Sequence, residues 1–307
     1  MSGLRAGLCD YLALRRSLGY KLVRTGAVLE DFVAFAEKAG ATHVSTELAL
    51  SWSVRTPNPD SRWRANRLAM VRGLARYLHA IDPEHEVPPA GIIPGRRGRP
   101  APFLYSSDQV VALMEASRGL RSPILGATVE AVVGLLVSTG LRVSEAIGLD
   151  DADLDVEDQV VLVRESKGGR TRLVPVDESV MAALMGYVAL RDRVFPRRRD
   201  PSLFVSTVGK RLRSGNLGAA FREVRATVEI GTTPAGRAAR LSDFRHSFAV
   251  QTLVEWHRDG RDVNALLPVL STYLGHVSPA STYWYLTASP ELLAAAAGRL
   301  GDGEEPR

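Results

Sequence analysis

The chain has a single cysteine, Cys9, among its 307 residues. One thiol excludes an intramolecular disulfide and any cysteine-rich metal site, and it suits a reducing compartment. Long apolar runs are also lacking. The most hydrophobic stretch, Thr128 to Val137, is interrupted by Glu130 and is far shorter than the ~20 residues of a membrane-spanning helix, so a buried helix is expected there and no membrane partner. No N-terminal stretch has the basic, apolar, small-residue order of a secretion signal, which makes the cytoplasm the expected location. The sequence has no phosphate loop of the GxxxxGKS type, no dense carboxylate or histidine cluster suited to Mg²⁺ or Zn²⁺, and no internal repeat. Neither a metal nor a cofactor is expected.

What is present is a globular composition, 45% hydrophobic, in a chain long enough for two domains. The net charge of +5 would mean little if spread evenly, so its distribution matters more. Between Arg197 and Arg240 there are ten basic residues, Arg211 and Arg213 among them, against three acidic ones. A solvated surface and a polyanion-binding face both fit that surplus. Residues 4 to 81 read as short helices separated by breaks, with Leu29, Phe32, Val33 and Phe35 forming an apolar face. In the last of these helices Arg62, Arg64, Arg67, Arg72 and Arg76 accompany Trp63, Leu68, Val71, Leu74 and Leu78. A planar guanidinium pairs well with phosphate, so Arg62, Arg64 and Arg67 are candidate contacts to a nucleic-acid backbone.

Residues 87 to 104 carry Pro88, Pro89, Pro94, Pro100 and Pro102 with Gly91, Gly95 and Gly98, a composition that resists both helix and sheet. This places a linker at 87–104 between domains at 1–86 and 105–307. Arg96, Arg97 and Arg99 lie within the linker and are further candidate phosphate contacts. Beyond it, a helical pattern runs to Thr139, stops at Gly140 and restarts near Val143. Alternation over residues 160–164, a Gly168-Gly169 turn and renewed alternation over 173–176 indicate a β-hairpin with Lys167 at its turn end. Helical patterns resume near Glu178, Asn216 and Asp243, and an Ala- and Leu-rich helix is expected from Pro290 to Leu300.

Four segments carry the five candidate residues. They are Arg142 in "STGLRVSEAIGL", Lys167 on the hairpin, Arg245 in "LSDFRHSFA", and His276 and Tyr285 in "YLGHVSPASTYWYL". Each residue alone has an ordinary structural explanation. In this order, over about 140 residues, they resemble the catalytic domain of the tyrosine recombinase and integrase family, and the resemblance covers roughly residues 105 to 300. It implies a mainly α fold with a small β-sheet: a helical core-binding domain at the N-terminus, then a mixed α/β catalytic domain. By the same resemblance Arg142 and Arg245 are the paired arginines, Lys167 the hairpin lysine, His276 the histidine of the second box and Tyr285 the nucleophile. Glu145 is the acidic residue that supports Arg142. Double-stranded DNA, a homotetramer on two DNA sites, companion recombinases and a nucleoid-associated location are the partners and setting this implies.

The residue types suit phosphoryl transfer. Two guanidiniums stabilise the charge that gathers on nonbridging oxygens as a nucleophile adds, and a tyrosine hydroxyl attacks phosphorus if its proton is drawn off. One position departs from the family pattern: Ser242 stands three residues before Arg245, where the family has a histidine. A serine hydroxyl donates a hydrogen bond but is no base near neutrality. His246, four residues beyond Ser242, lies a full helical turn away and is expected to be structural. Tyr283 lies about 200° around a helix from Tyr285 and is expected to pack. The leading expectation is a site-specific recombinase, of integrase or transposase type, working through a 3′-phosphotyrosine with activity reduced by Ser242. A catalytically weakened DNA-binding partner and a type IB topoisomerase-like enzyme stay open.

Overall fold

The computed structural model describes residues 3–56, 61–95, 101–164, 171–275 and 282–285. The chain divides into two compact units, residues 1–99 and 100–307.

The first unit is helical. Helices α1 (Gly3–Ser17), α2 (Val23–Lys38), α3 (Thr46–Val54) and α4 (Ser61–His79) enclose one apolar core. Leu4, Leu8 and Leu12 recur at four-residue spacing and so fall on one face of α1, while Leu68, Val71, Leu74, Ala75 and Leu78 do the same on α4. A methyl added at Gly7 would lie 2.4 Å from a terminal methyl of Leu78, so α1 and α4 approach closely there and a larger residue would make the leucine shift. Ser45 caps α3 by accepting the Leu48 backbone N–H at 3.1 Å.

The second unit is built around α6 (Pro123–Thr139), which is apolar on nearly every side and packs against α5 (Ser107–Ser117), α8 (Glu178–Val194), α9 (Ser214–Ala226) and α10 (Asp243–Arg258). A helix hydrophobic all round belongs at the centre of a unit, and Val129, Val132, Val133 and Leu136 are fully enclosed. Gly140 ends α6 with φ 61°, and a Cβ there would lie 2.5 Å from the Phe248 ring, so both conformation and space require glycine. The short helix α7 (Val143–Ala146) follows. The expected hairpin is present as β2 (Val160–Val163) and β3 (Arg172–Pro175), antiparallel with Val161 opposite Val174. A two-residue strand, β1 (Leu154–Asp155), pairs with β2 and completes a three-stranded sheet; it was too short to leave a pattern in the sequence. Helix α11 (Val263–Leu274) packs on α10 with Tyr285 in their shared apolar cluster. Sequence reading missed α11, which contains Pro268. The expected fold class, mainly α with a small β-sheet, is the observed one. The helix expected from Pro290 to Leu300 lies outside the described residues, and among the described residues no helix is long and apolar enough to cross a membrane.

Candidate active site

The site forms where two helices end. Backbone carbonyls at a helix C-terminus have no partners within the helix and carry partial negative charge, so they attract cations. The last carbonyls of α11 and the glycine after it take one guanidinium each. Arg172 Nε donates to the Tyr273 carbonyl at 3.0 Å, Arg245 Nη2 to Leu274 at 2.6 Å and Arg142 Nη2 to Gly275 at 3.0 Å. Arg245 Nη1 also donates to the Gly140 carbonyl, at 2.9 Å, at the end of α6. Three arginines from three parts of the chain are thus gathered on two helix ends. Gly275 has φ 66°, and a Cβ there would lie 3.0 Å from Arg172 Nη1, so its glycine both ends α11 and makes room for a guanidinium.

Glu145 holds two of the three. Its carboxylate accepts Arg142 Nη1 at 2.6 Å, the Arg142 backbone N–H at 3.0 Å and Arg172 Nη2 at 2.8 Å. Burial pushes this carboxyl up, but the hydrogen bonds from Arg172 and Arg142 outweigh it and hold Glu145 below the usual carboxylate range. Arg245 is buried, and desolvation, with repulsion from Arg142, pushes its pKa down to about 10. It stays protonated at neutral pH. Among the described residues three guanidiniums against one carboxylate leave a net positive cluster with part of Arg142 open to solvent. Such a cluster has the chemistry to bind an anion.

Tyr285 lies in the described segment 282–285, buried against α10 and α11. Its negative charge, when ionised, favours the Arg245 cation, which places the phenol within electrostatic reach of the arginines. His246, one residue after Arg245 on α10, has Nδ1 3.1 Å from the Tyr285 hydroxyl. Its ring meets the Trp284 ring edge-on, centroids 5.6 Å apart. His246, expected to be structural, lies one helical turn beyond Ser242 and meets Tyr285 there. Tyr283, expected to pack, is 50% exposed. Ser242 is exposed at the N-terminus of α10 and its side chain makes no capping bond. Lys167 and His276 lie outside the described residues. Arg172 was missed altogether. The available signal was its place two residues before Val174, on the inward face of β3, where an arginine needs a buried partner.

The expected backbone contacts divide. Arg62 and Arg213 are exposed, Arg64 is half-buried, and Arg96, Arg97 and Arg99 lie outside the described residues. Arg67 has internal partners: its guanidinium sits 3.7 Å over the Trp52 ring and donates to Asp31 and to the Trp52 carbonyl, each at 3.3 Å. Arg211 pairs with Asp150 and donates to the Gly148 carbonyl at 2.9 Å, just beyond the end of α7. Arg198 and Arg237 pair likewise with Asp151 and Asp243, so much of the basic surplus in 197–240 is bonded internally.

Known proteins share this architecture. A family model, the phage integrase family, matches residues 104–291, a span that includes every arginine of the cluster. The Sinorhizobium fredii protein y4rB, named as an integrase/recombinase, is 40% identical over 306 residues, 98% of each chain. Tyrosine recombinase XerD of Mycobacterium leprae is 32% identical over 94% of this chain and 93% of its own. Among solved structures, the Tn1549 transposon integrase in complex with circular intermediate DNA superposes with a TM-score of 0.63 at 19% identity, over 95% of this chain and 99% of that one. With likeness of sequence running nearly end to end and the same fold beneath it, this chain belongs to the phage integrase family, the tyrosine recombinases.

Proposed function

We propose that the chain recombines double-stranded DNA at specific sites through a 3′-phosphotyrosine on Tyr285, as an integrase or transposase does. The observation that carries this reading is the cluster of Arg142, Arg172 and Arg245 on the helix ends of α6 and α11, with Tyr285 in electrostatic reach of it. A scissile phosphate held by Arg142 and Arg245 has its nonbridging oxygens stabilised as the phenol oxygen adds. The Tyr285–phosphorus bond forms and the bond to the 5′-oxygen breaks. That oxygen leaves with a proton from Lys167, while His276 completes the phosphate contacts and Ser242 offers a hydrogen bond. Because the phosphodiester energy is kept in the phosphotyrosine, a 5′-hydroxyl from another strand reverses the steps without ATP. Tyr285 is only 1% exposed, so its hydroxyl has to become accessible to the phosphate as DNA is engaged.

In this reading residues 1–86 are the core-binding domain and 87–104 a linker, with Arg62, Arg64, Arg96, Arg97, Arg99 and Arg213 along the DNA backbone. Strand exchange engages four protomers on two sites, and companion recombinases belong to the same setting. A second reading, a DNA-binding partner with weak catalysis, rests on Ser242, which cannot take a proton from Tyr285.

The test uses nicked duplexes tiled across the DNA that flanks the gene. A denaturation-resistant protein–DNA adduct on a subset of them supports the proposal. Binding without any adduct favours the weakened partner, and relaxation of arbitrary supercoiled plasmid favours a topoisomerase. Binding in each case is expected to fall steeply with salt, by about 10³–10⁵ between 50 and 200 mM if six to ten phosphates are contacted. A salt-insensitive affinity in a filter-binding titration contradicts a phosphate clamp.

A further inference from the structure

We infer that His246 is the base that accepts the Tyr285 proton, doing the work that Ser242 cannot. The inference rests on the proposed role of Tyr285. His246 Nδ1 lies 3.1 Å from the phenol oxygen, within the range for proton transfer along a hydrogen bond. For proton acceptance the phenol must donate to Nδ1, with the ring's own proton on Nε2. The Trp284 ring meets the imidazole edge-on, and the preceding residue on α10, Arg245, has its guanidinium tied to two backbone carbonyls.

In the step itself, the O–H bond of Tyr285 breaks and its proton passes to Nδ1, giving an imidazolium. The oxygen lone pair forms the bond to phosphorus and the bond to the 5′-oxygen breaks. On religation the phenolate leaves phosphorus and recovers the same proton. The charged groups bearing on Arg245 beside this pair are Arg142 and Glu145 at the start of α7, Arg172 on β3 and Tyr285 itself. From α11, Tyr273 stacks on Phe248 of α10.

The test compares wild type with His246→Asn and His246→Gln in adduct formation on the same tiled nicked duplexes, from pH 6 to 9. Asn and Gln can keep a hydrogen bond from the phenol but cannot take its proton. At pH 7 each is expected to slow the adduct by about 10²–10⁴-fold with unchanged binding of the duplex. The defect should shrink as pH rises toward the ordinary phenol pKa of about 10, because the ionised tyrosine needs no base. Nitrogen NMR gives a second readout that needs no DNA: His246 is expected as the Nε2–H tautomer. A wild-type rate in His246→Asn, a faster one, a defect independent of pH, or the Nδ1–H tautomer overturns the inference while leaving the nucleophile in place. Absence of any adduct with wild type removes the reading on which it rests.

Discussion

Tyr285→Phe forms no covalent adduct with DNA and loses strand cleavage by on the order of 10⁴-fold or more, the scale seen when a nucleophile is deleted. Phenylalanine offers no oxygen to phosphorus, and cleavage by water leaves no protein on the strand. The fold is expected to survive. The ring of residue 285 packs among Leu253, Leu267 and Leu270 in the cluster between α10 and α11, and Phe retains all of that surface. What is lost is one hydroxyl and its bond to His246, worth about 0.5–1.5 kcal/mol. A thermal melt within a few degrees of wild type, with DNA binding intact, separates the chemical loss from a structural one. An adduct that persists in Tyr285→Phe moves the nucleophile elsewhere.

Glu145→Ala has the largest expected effect on stability. The carboxylate is 5% exposed and is the partner of two guanidiniums, those of Arg142 and Arg172. Its removal leaves two cations facing each other beside a third, and breaking a buried pair from one side costs about 3–5 kcal/mol. Differential scanning calorimetry should show the transition of the second unit lowered by roughly 6–20 °C. The pH dependence follows from the direction of the Glu145 shift. A carboxyl held below its unfolded value contributes stability that is fully present above about pH 4.5 and is lost as pH falls through the folded value. The difference between wild type and Glu145→Ala should therefore be full at pH 7 and narrow below pH 4.5. A constant difference across that window, or a variant as stable as wild type, contradicts the account of the arginine cluster.

The sequence disclosed those parts of the site that depend on local pattern. Local pattern placed Arg142 after the Gly140 helix stop and Arg245 at the start of a helix, but only the resemblance of the ordered set to the tyrosine recombinases singled them out, and Glu145 with them. The hairpin showed its alternation and its glycine turn. Arg172 was not legible, because its partners are the Tyr273 carbonyl about a hundred residues away on α11 and the Glu145 carboxylate. The His246–Tyr285 contact spans 39 residues and has no local signature either. Charge patterning does not disclose internal partners: Arg67 lies over a tryptophan and Arg211 pairs with Asp150. A guanidinium has five donors and a flat apolar face, so it serves the interior of a protein as readily as a phosphate. Composition does not distinguish the two uses.

The most direct test of the central claim is to trap the adduct on a nicked duplex, digest the protein and locate the attached nucleotide by mass spectrometry. The account predicts a 3′-phosphate joined to the peptide at Tyr285. Attachment at the half-exposed Tyr283, or at any other residue, contradicts it.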